Sequence, residues 1–422
     1  MNVILTALGS AGDVHPLLGL GLALRDRGHQ VTIVASAYFE DLVRRTNLEF
    51  APVLTVERFK ELMRNPDLWH PTRGFQTIAR EGIVPMLRPV YDIIAERYVP
   101  GQTVVGAHSI DFASRIAQDK LGVPVATVHL APAVFRSLIR SSHLPPMLLG
   151  DGVPKSLKRL QFWLADTLVV DRALAPPINA LRAELGLPPV RRIFNRWWNS
   201  PDRVVGLFPD WYGPPQPDWP RQTVLTGFPL WDESPVSEIP DGLEAFLASG
   251  ESPVVFTPGS ANVHGHRFFA EAVGACQRLG CRGLLLTRHA EQIPDSLPEG
   301  VRHFDFVPLG WLLPRSAALV HHGGIGTLAQ ALAAGIPHLV VPMSHDQPDN
   351  ARRLRRLGVG EAIQPRRFRA ESVARALERL LTSAEVKSRC EELATRIDKT
   401  AALERTCEIF EQLGQHRASR AG

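Results

Sequence analysis

Short apolar runs alternate with helical stretches along the first half of the chain. The first run, residues 3–8, ends in a polar turn over 9–13, and a helical pattern follows over 16–27. Later apolar runs lie at 31–35, 103–107, 123–128, 204–208 and 223–225, with helical patterns that include 75–97 and 113–121. Buried parallel strands have this continuous apolar character and alternate with helices, so we predict an α/β domain over residues 1–230.

The alternation breaks over residues 135–200. Helical stretches at 155–170 and 177–185 mix there with proline-rich turns and the pair Trp197 and Trp198. An irregular insertion in a regular α/β domain forms either the wall of a substrate pocket or a cap over the sheet, and both alternatives remain open.

A second α/β set follows a segment without any period. Residues 229–240 are rich in proline and acid, which predicts a linker. Apolar runs at 253–257, 283–287, 301–304, 318–320 and 338–341 predict further strands, and the chain beyond residue 352 is largely helical. We expect a second domain over 241–398, followed by a helical segment over 399–422.

The segment around residues 317–350 carries the most chemistry. A strand runs into the turn His321–Gly324, and a helix follows from Ile325 to Ala334. Backbone N–H groups at the start of a helix lack partners within it and carry its positive dipole end, so this turn predicts a pyrophosphate site. Asp346 and Gln347 follow the next strand on the same rim of the sheet, and an acid beside an amide suits sugar hydroxyls.

Composition narrows the class of protein. The formal charge of +4 over 422 residues does not favour nucleic acid. Seven arginines crowd residues 352–369, which indicates a solvated surface, with an anionic membrane surface or partner as the alternative. The four cysteines form no C-x-x-C pair, the N-terminus lacks a basic leader, and apolar runs fall short of about 18 residues. We therefore expect a cytoplasmic protein with free thiols.

Two motifs carry a family resemblance. The string H-H-G-G-x-G-T at 321–327, followed by P-x-x-x-D-Q-x-x-N at 342–350, resembles the donor-binding signature of the family 1 glycosyltransferases, which include UDP-glucuronosyl, macrolide and sterol enzymes. The opening GSAGDVHPLLGLGLALRDRGHQVTIV is similar to the first βαβ unit of the same family. Within the family, the chain looks closest to the rhamnosyltransferase of rhamnolipid synthesis and to bacterial flavonoid glycosyltransferases.

The resemblance implies a fold and a reaction. The fold is GT-B, in which two Rossmann-like domains with mostly parallel sheets face an interdomain cleft. The N-terminal domain binds the acceptor, the C-terminal domain binds the nucleotide sugar, and the last helix crosses back to the first domain. We expect inverting transfer of glucose or rhamnose from a UDP- or dTDP-sugar to a hydroxyl of a phenol, flavonoid or hydroxyacyl lipid. Monomer and homodimer both remain open.

Transfer requires a base that removes a proton from the acceptor. The chain resembles members that read G-S-x-G-D, which makes Asp13 the expected base and His15 the alternative. Family members with a histidine base orient it with an acid after the strand that corresponds to 103–107. His108 occupies that position here, with Asp111 one turn further on.

The remaining site residues also follow from the resemblance. Phe306 and Val307 are expected against the nucleotide base, and Ser260 is expected near the phosphates. The chain has no D-x-D motif, so we expect no metal or other cofactor besides the sugar donor. The full set is catalytic Asp13, His15 and Asp111; donor-binding Ser260, Phe306, Val307, His321, Gly323, Gly324, Ile325, Gly326, Thr327, Asp346 and Gln347; and acceptor-binding Gly12, His108 and Phe135.

Two other functions compete with transfer. A nucleotide-sugar 2-epimerase of the same fold needs no base in the first loop, and Asp13 argues against it. A nucleotide-sugar binding protein without catalysis needs neither base nor acceptor site. A dehydrogenase is excluded because the first βαβ unit lacks G-x-G-x-x-G.

Overall fold

The computed structural model describes residues 1–144, 147, 149–259, 262 and 265–421, with side chains through residue 415. The chain forms two compact units. The first comprises Met1–Gly9, Asp13–Pro229 and Lys399–Gly422, and the second comprises Ser10–Gly12 and Leu230–Asp398.

Each unit contains one parallel sheet. The first sheet has the order β3-β2-β1-β4-β5-β6-β7, and the second has the order β10-β9-β8-β11-β12-β13. The strands are β1 Asn2–Thr6, β2 Gln30–Ser36, β3 Glu49–Leu54, β4 Thr103–His108, β5 Val125–His129, β6 Arg203–Gly206, β7 Thr223–Leu225, β8 Val254–Thr257, β9 Gly283–Leu286, β10 Val301–Phe304, β11 Ala318–His321, β12 His338–Val340 and β13 Gly360–Ala362.

Helices connect the strands and cover the sheets. They are α1 Ala11–Asp26, α2 Glu40–Arg45, α3 Val56–Arg64, α4 Gly74–Thr77, α5 Val84–Arg97, α6 Ala113–Leu121, α7 Lys155–Ala165, α8 Asp171–Glu184, α9 Leu243–Ala248, α10 His266–Leu279, α11 Leu309–Leu312, α12 Ile325–Ala334, α13 Gln347–Leu357, α14 Ala370–Thr382, α15 Ala384–Ala394 and α16 Lys399–Ala421. All strand pairs are parallel, so the prediction of two α/β units with parallel sheets is confirmed.

Local predictions failed at three places. Helix α1 begins at Ala11 rather than near Pro16, so Pro16 lies inside the helix and not in its first turn, where proline is usually found. Strand β3 contains Pro52, which hid it from pattern analysis, and it lies at the sheet edge, where a strand tolerates proline. Strand β13 has only three residues, Gly-Glu-Ala, and these are not typical of strands.

Each sheet has one point where the strand order reverses. In the first sheet it lies between β1 and β4, and in the second between β8 and β11. Open α/β sheets bind ligands beyond the carboxyl ends of the strands at such a point. The segments after these four strands are therefore where a ligand is expected.

Two long helical segments contain π-helical turns. Ile78–Ile83 connects α4 to α5, and Asp166–Val170 connects α7 to α8. The inner side of α8 contributes Leu174, Ile178 and Leu181 to the core of the first unit. The insertion thus combines a helix that covers the core with a second helix, α7, that has few buried residues.

Helix α16 packs on the first unit. Arg27 donates two hydrogen bonds to Glu411 at 2.7 and 2.8 Å, and His29 Nε2 lies 3.0 Å from the same carboxylate. The hydrogen bond from Arg27 lowers the pKa of Glu411 to about 2. Phe410 closes against Gly106, where an added Cβ would lie 2.8 Å from the ring. No helix among the described residues is long and apolar enough to span a bilayer.

Candidate active site

Asp13 and His108 meet at the reversal point of the first sheet. His108 is the last residue of β4, Asp13 lies in the first turn of α1 after β1, and these two strands are neighbours. His108 Nε2 is 3.3 Å from Asp13 Oδ1. The side chain of Asp13 is 32% exposed and that of His108 only 5%. The carboxylate can therefore meet a ligand, while the imidazole contacts it from the protein interior.

Gly9 makes room for this carboxylate. Its φ of +131° is accessible in practice only to glycine, and a Cβ there would lie 2.3 Å from Asp13 Oδ2. The turn between β1 and α1 therefore holds Asp13 against a residue without a side chain. Gly12, the second residue of α1, is exposed.

His15 does not share the position of Asp13. Residues two apart on a helix are separated by about 200° around its axis, so their side chains leave on different faces. His15 is half-buried on its own face of α1. The structure brings His108 to Asp13, and the choice of Asp13 over His15 as the base stays a prediction.

The third catalytic candidate, Asp111, is buried, and its carboxylate accepts hydrogen bonds from within the fold. It is 3% exposed, and its Oδ1 accepts a hydrogen bond from Ser114 N at 3.0 Å. The Thr6 hydroxyl donates to Oδ2 at 2.7 Å, and the Ser114 hydroxyl donates to the same oxygen. Burial raises the pKa of Asp111 although these hydrogen bonds oppose the shift. Its contacts join the start of α6 to β1.

A buried wall of polar and aromatic groups lies beside His108. Ser109 Oγ is 3.0 Å from His129 Nδ1, and His129 Nε2 donates to Asn199 Oδ1 at 2.8 Å. Burial lowers the pKa of His129 to about 4, so the ring is neutral. Phe135, an acceptor candidate, is 4% exposed and stacks on Trp219 at 4.3 Å between ring centroids. Sequence analysis missed His129 and Asn199, because only the fold brings these distant segments together.

His321 ends β11 at the reversal point of the second sheet and is fully buried. Gly323 N donates to His321 Nδ1 at 3.1 Å, and His321 Nε2 lies 3.2 Å from His338 Nδ1. A backbone N–H can only donate, so Nδ1 is the unprotonated nitrogen and Nε2 carries the proton that His338 accepts. Burial lowers the pKa of His321 far below its usual range and that of His338 to about 3, which keeps both rings neutral.

The glycine turn after His321 is held by a side chain from α13. Gly323 has φ +95°, and a Cβ there would lie 2.8 Å from Val340. Asn350 Nδ2 donates to Gly323 O at 2.9 Å and to Asp346 Oδ2 at 2.7 Å. The amide of Asn350 therefore joins the turn predicted to bind phosphate to the acid predicted to bind sugar.

Helix α12 begins directly after this turn. Within the described residues no side chain caps its N-terminus at Gly324, and Ile325, Gly326 and Thr327 are partly exposed. Uncapped N–H groups at a helix start are suited to an anion. The arrangement can therefore hold a phosphate without a charged side chain.

The ring of His322 is packed between two glycines. A Cβ on Gly259, which has φ +96°, would lie 2.7 Å from it, and a Cβ on Gly324 would lie 2.4 Å from it. Burial lowers the pKa of His322 to about 4. His322 as a whole residue is partly exposed, whereas His321 is fully buried. Ser260, which follows Gly259, lies outside the described residues.

The turn after β12 presents Asp346 through a strained backbone. His345 has φ +57°, an uncommon conformation for a residue with a side chain. Gln347 Oε1 accepts from Met343 N at 2.8 Å and from Ser344 N at 3.2 Å, and the residue is 3% exposed. Asp346 is half-exposed. Gln347 thus closes the turn and Asp346 is the more accessible member of the pair.

The guanidinium of Arg288 lies over the ring of Phe306, a contact that sequence analysis missed. The Arg288 guanidinium lies 4.7 Å from the centroid of the Phe306 ring, and Arg288 Nη2 is 3.6 Å from Glu233 Oε1. Val307 is 2% exposed and belongs to the core. Only Phe306 can therefore offer an aromatic face here. Across the described part of the chain, no group of three or more His, Cys, Asp or Glu side chains is arranged to hold a metal ion.

Comparisons with known proteins match both units of the chain. Residues 3–138 match the glycosyltransferase family 28 N-terminal domain, and residues 284–413 match the erythromycin biosynthesis protein CIII-like C-terminal domain. Among solved structures, the glycosyltransferase of kitacinnamycin has a TM-score of 0.75 at 19% identity and covers 98% of both chains. The spinosyn rhamnosyltransferase SpnG, complexed with thymidine diphosphate, has a TM-score of 0.66 at 20% identity and covers 97% of this chain and 100% of its own. These two likenesses confirm the predicted GT-B fold.

One curated relative decides the family. The O-mycaminosyltylonolide 6-deoxyallosyltransferase of Streptomyces fradiae is 30% identical over 444 aligned residues, which cover 99% of each chain. Its alignment includes both regions that match the two family models. The chain therefore belongs to the GT-B glycosyltransferases of the macrolide and glycopeptide type.

Proposed function

We propose that the protein is an inverting glycosyltransferase that moves a hexose from a dTDP- or UDP-sugar to a hydroxyl of a lipophilic small molecule. The observation that carries this proposal is the pair Asp13 and His108, 3.3 Å apart at the reversal point of the first sheet. A phosphate-binding turn after β11 accompanies it in the other unit. A protein that only binds a nucleotide sugar would need the turn after β11 but not the pair Asp13 and His108.

In the proposed reaction Asp13 takes the proton from the acceptor hydroxyl. When His108 carries its proton on Nε2, it donates to Asp13 Oδ1 and holds the carboxylate in one orientation. The deprotonated oxygen attacks the anomeric carbon, and the bond from that carbon to the nucleoside diphosphate breaks with inversion. Proton transfer to a positioned carboxylate contributes on the order of 10²- to 10⁴-fold to the rate.

The leaving diphosphate would be stabilised by the start of α12. Its uncapped N–H groups, the imidazole of His322 and the hydroxyl of Thr327 all offer hydrogen-bond donors. Asp346 would accept hydrogen bonds from the sugar, and Phe306 would stack on the base. We expect this set to act without a divalent ion.

The relatives favour a deoxythymidine donor. SpnG is complexed with thymidine diphosphate, and the name of the Streptomyces relative specifies a 6-deoxyhexose and an O-mycaminosyltylonolide acceptor. A dTDP-6-deoxyhexose such as dTDP-rhamnose is thus the first donor to test, with UDP-glucose as the second. The acceptor classes to test are a macrolactone, a flavonol and a hydroxyacyl lipid. The four cysteines are free thiols, which supports the predicted cytoplasmic setting.

Nucleotide release tests the proposal. Purified protein is incubated with dTDP-rhamnose or UDP-glucose and with each acceptor class, with and without EDTA. We expect acceptor-dependent release that survives EDTA and falls at least 100-fold in Asp13→Asn. The matched control is Asp26→Asn, which makes the same change at the exposed end of the same helix. Donor binding without release in any pair would favour the binding protein, and full activity of Asp13→Asn would remove Asp13 as the base.

A further inference from the structure

Helix α7 and the π-helical turn after it expose an apolar surface. Leu157, Leu160, Trp163, Leu164 and Leu168 are 48, 50, 50, 40 and 58% exposed, and we call these five side chains the leucine-tryptophan face. They account for five of the nine large apolar side chains that are exposed in the described part of the chain. Their spacing of three and four residues places them along one side of the helix.

The opposite side of this helix carries two buried charged groups beside the half-buried Phe162 and Ala165. Lys158 is 2% exposed, and its Nζ donates to the carbonyl oxygens of Leu138 and Ile139, both at 3.3 Å. Asp166 is 6% exposed and pairs with Arg136 at 2.6 Å. A helix that borders water normally shows the reverse arrangement, with its apolar side inward.

The two buried charges therefore set the rotation of α7 about its axis. An unpaired charge in the interior is costly, so turning Lys158 or Asp166 outward would break contacts that the fold has made for them. Rotating the helix to bury the leucines would turn both Lys158 and Asp166 outward and break the contacts of both. The outward position of the leucine-tryptophan face is thus held by specific bonds.

The segment that contains this face is rich in positive charge. Residues 136–196 contain ten basic and four acidic residues, a formal +6, whereas the whole chain carries +4. Exposed members lie at both ends of the helix. Lys155 and Arg159 are near its start, and Arg192, whose backbone N donates to Asp171 Oδ2 at 2.9 Å, is held near its far end. The other exposed basic residues of this region are Arg140, Arg172, Arg191 and Arg196.

The charge decides which occupant suits the surface. A second copy of the chain would bring a formal +6 against a formal +6, and like charges oppose such contact. An anionic bilayer offers the complement, since its headgroups attract Lys and Arg while its acyl boundary accepts leucine and tryptophan side chains. We propose that the leucine-tryptophan face binds the surface of anionic membranes, with α7 lying in the interface.

This surface differs from the arginine cluster that sequence analysis singled out. Arg353 of that cluster pairs with Asp349 at 2.6 Å, and Arg369 pairs with Glu271 at 3.3 Å. These ion pairs reduce its positive field. The cluster has no exposed leucine or tryptophan group comparable to that of α7 among the described residues.

Vesicle sedimentation tests the proposal without any need for turnover, so its result is independent of the proposed glycosyl transfer. The full chain is spun with vesicles of phosphatidylcholine alone and with vesicles containing 30 mol% phosphatidylglycerol. We expect binding to the anionic vesicles only, with a loss of at least tenfold between about 0.05 and 0.5 M salt, because salt screens the attraction. The double variant Leu160→Gln/Leu164→Gln should bind at least tenfold more weakly at low salt.

The control is Leu381→Gln, which changes an exposed leucine on α14 and should bind as the unchanged chain does. Circular dichroism checks that all variants are folded. Equal binding of the double variant and the control would overturn the proposal, as would a lack of binding to anionic vesicles. Sedimentation velocity gives a third outcome: a dimer that Leu160→Gln/Leu164→Gln dissociates would show that a second copy covers the face instead.

Discussion

His108 Nε2 lies 3.3 Å from Asp13 Oδ1, and the two residues belong to segments that are 95 positions apart in the chain. The family resemblance implies a histidine base oriented by an acid in other members. This chain has the acid at the first position and the histidine at the second. The pair of a histidine and an acid is therefore present here, but the acid stands where other members have the histidine, and the histidine stands where they have the acid.

The first prediction concerns His108. Replacement by Ala should lower kcat on the order of tenfold and leave KM for the donor nearly unchanged, because Asp13 would keep its place but lose its partner. The double variant with Asp13→Asn should be no slower than Asp13→Asn alone, since both act through one carboxylate. Steady-state kinetics of the two single variants and the double variant measure this coupling. Additive losses would show that His108 acts independently of Asp13.

The second prediction concerns Gly9. A methyl group there would lie 2.3 Å from Asp13 Oδ2, so Gly9→Ala should displace the carboxylate and lower kcat at least tenfold. Gly28→Ala is the matched control, because Gly28 also has positive φ, +87°, but has no atom within 4 Å of the added Cβ. That control should lose about 1–2 kcal/mol of stability from backbone strain and keep its kcat. Equal kcat in both variants would contradict the steric argument.

The third prediction concerns His338. His338→Leu leaves the Nε2–H of His321 buried without an acceptor, which costs about 1–3 kcal/mol and loosens the turn through Gly323. We expect weaker binding of thymidine diphosphate, on the order of tenfold, by calorimetry. His338→Asn retains a carbonyl acceptor and should recover part of the affinity. If Leu and Asn variants bind equally, the hydrogen bond to His321 does not support the turn.

The fourth prediction is a loss of stability in mild acid. Burial lowers the pKa of His338 to about 3 and those of His129 and His322 to about 4, whereas an unfolded histidine titrates near 6.5. Below pH 6.5 the unfolded chain takes up protons that the folded chain refuses, so stability falls as the pH drops. The limit is about 1.4 kcal/mol per pH unit for each histidine.

Thermal unfolding between pH 5 and 8 measures this loss. We expect Tm to be highest above about pH 7 and to fall steadily toward pH 5. Glu411, with its pKa lowered to about 2, contributes only below this range, so it does not obscure the result. His338→Gln should have a shallower slope than the unchanged chain. A Tm that does not change with pH would mean that these histidines are not buried in their neutral form.

The local features of the chain were predictable from its sequence. Continuous apolar runs identified β1, β4, β8 and β11, because a strand buried on both faces has no polar positions. The glycine turn after His321 was also predictable, because positive φ and the start of a helix both leave strong local signals. Weak local signals explain the failures. Strands β3 and β13 carry proline or glycine, and Pro16 concealed the true start of α1 at Ala11.

The tertiary structure decided which of these residues work together. Strand order places His108 beside Asp13, and it joins His321 to His338 across two neighbouring strands. The same holds for α7, where Lys158 and Asp166 find partners inside while the leucines face outward. Hydrophobic pattern and backbone preference act over a few residues and can be recognised in the sequence. Strand order and burial depend on contacts between distant segments, and no local pattern contains them.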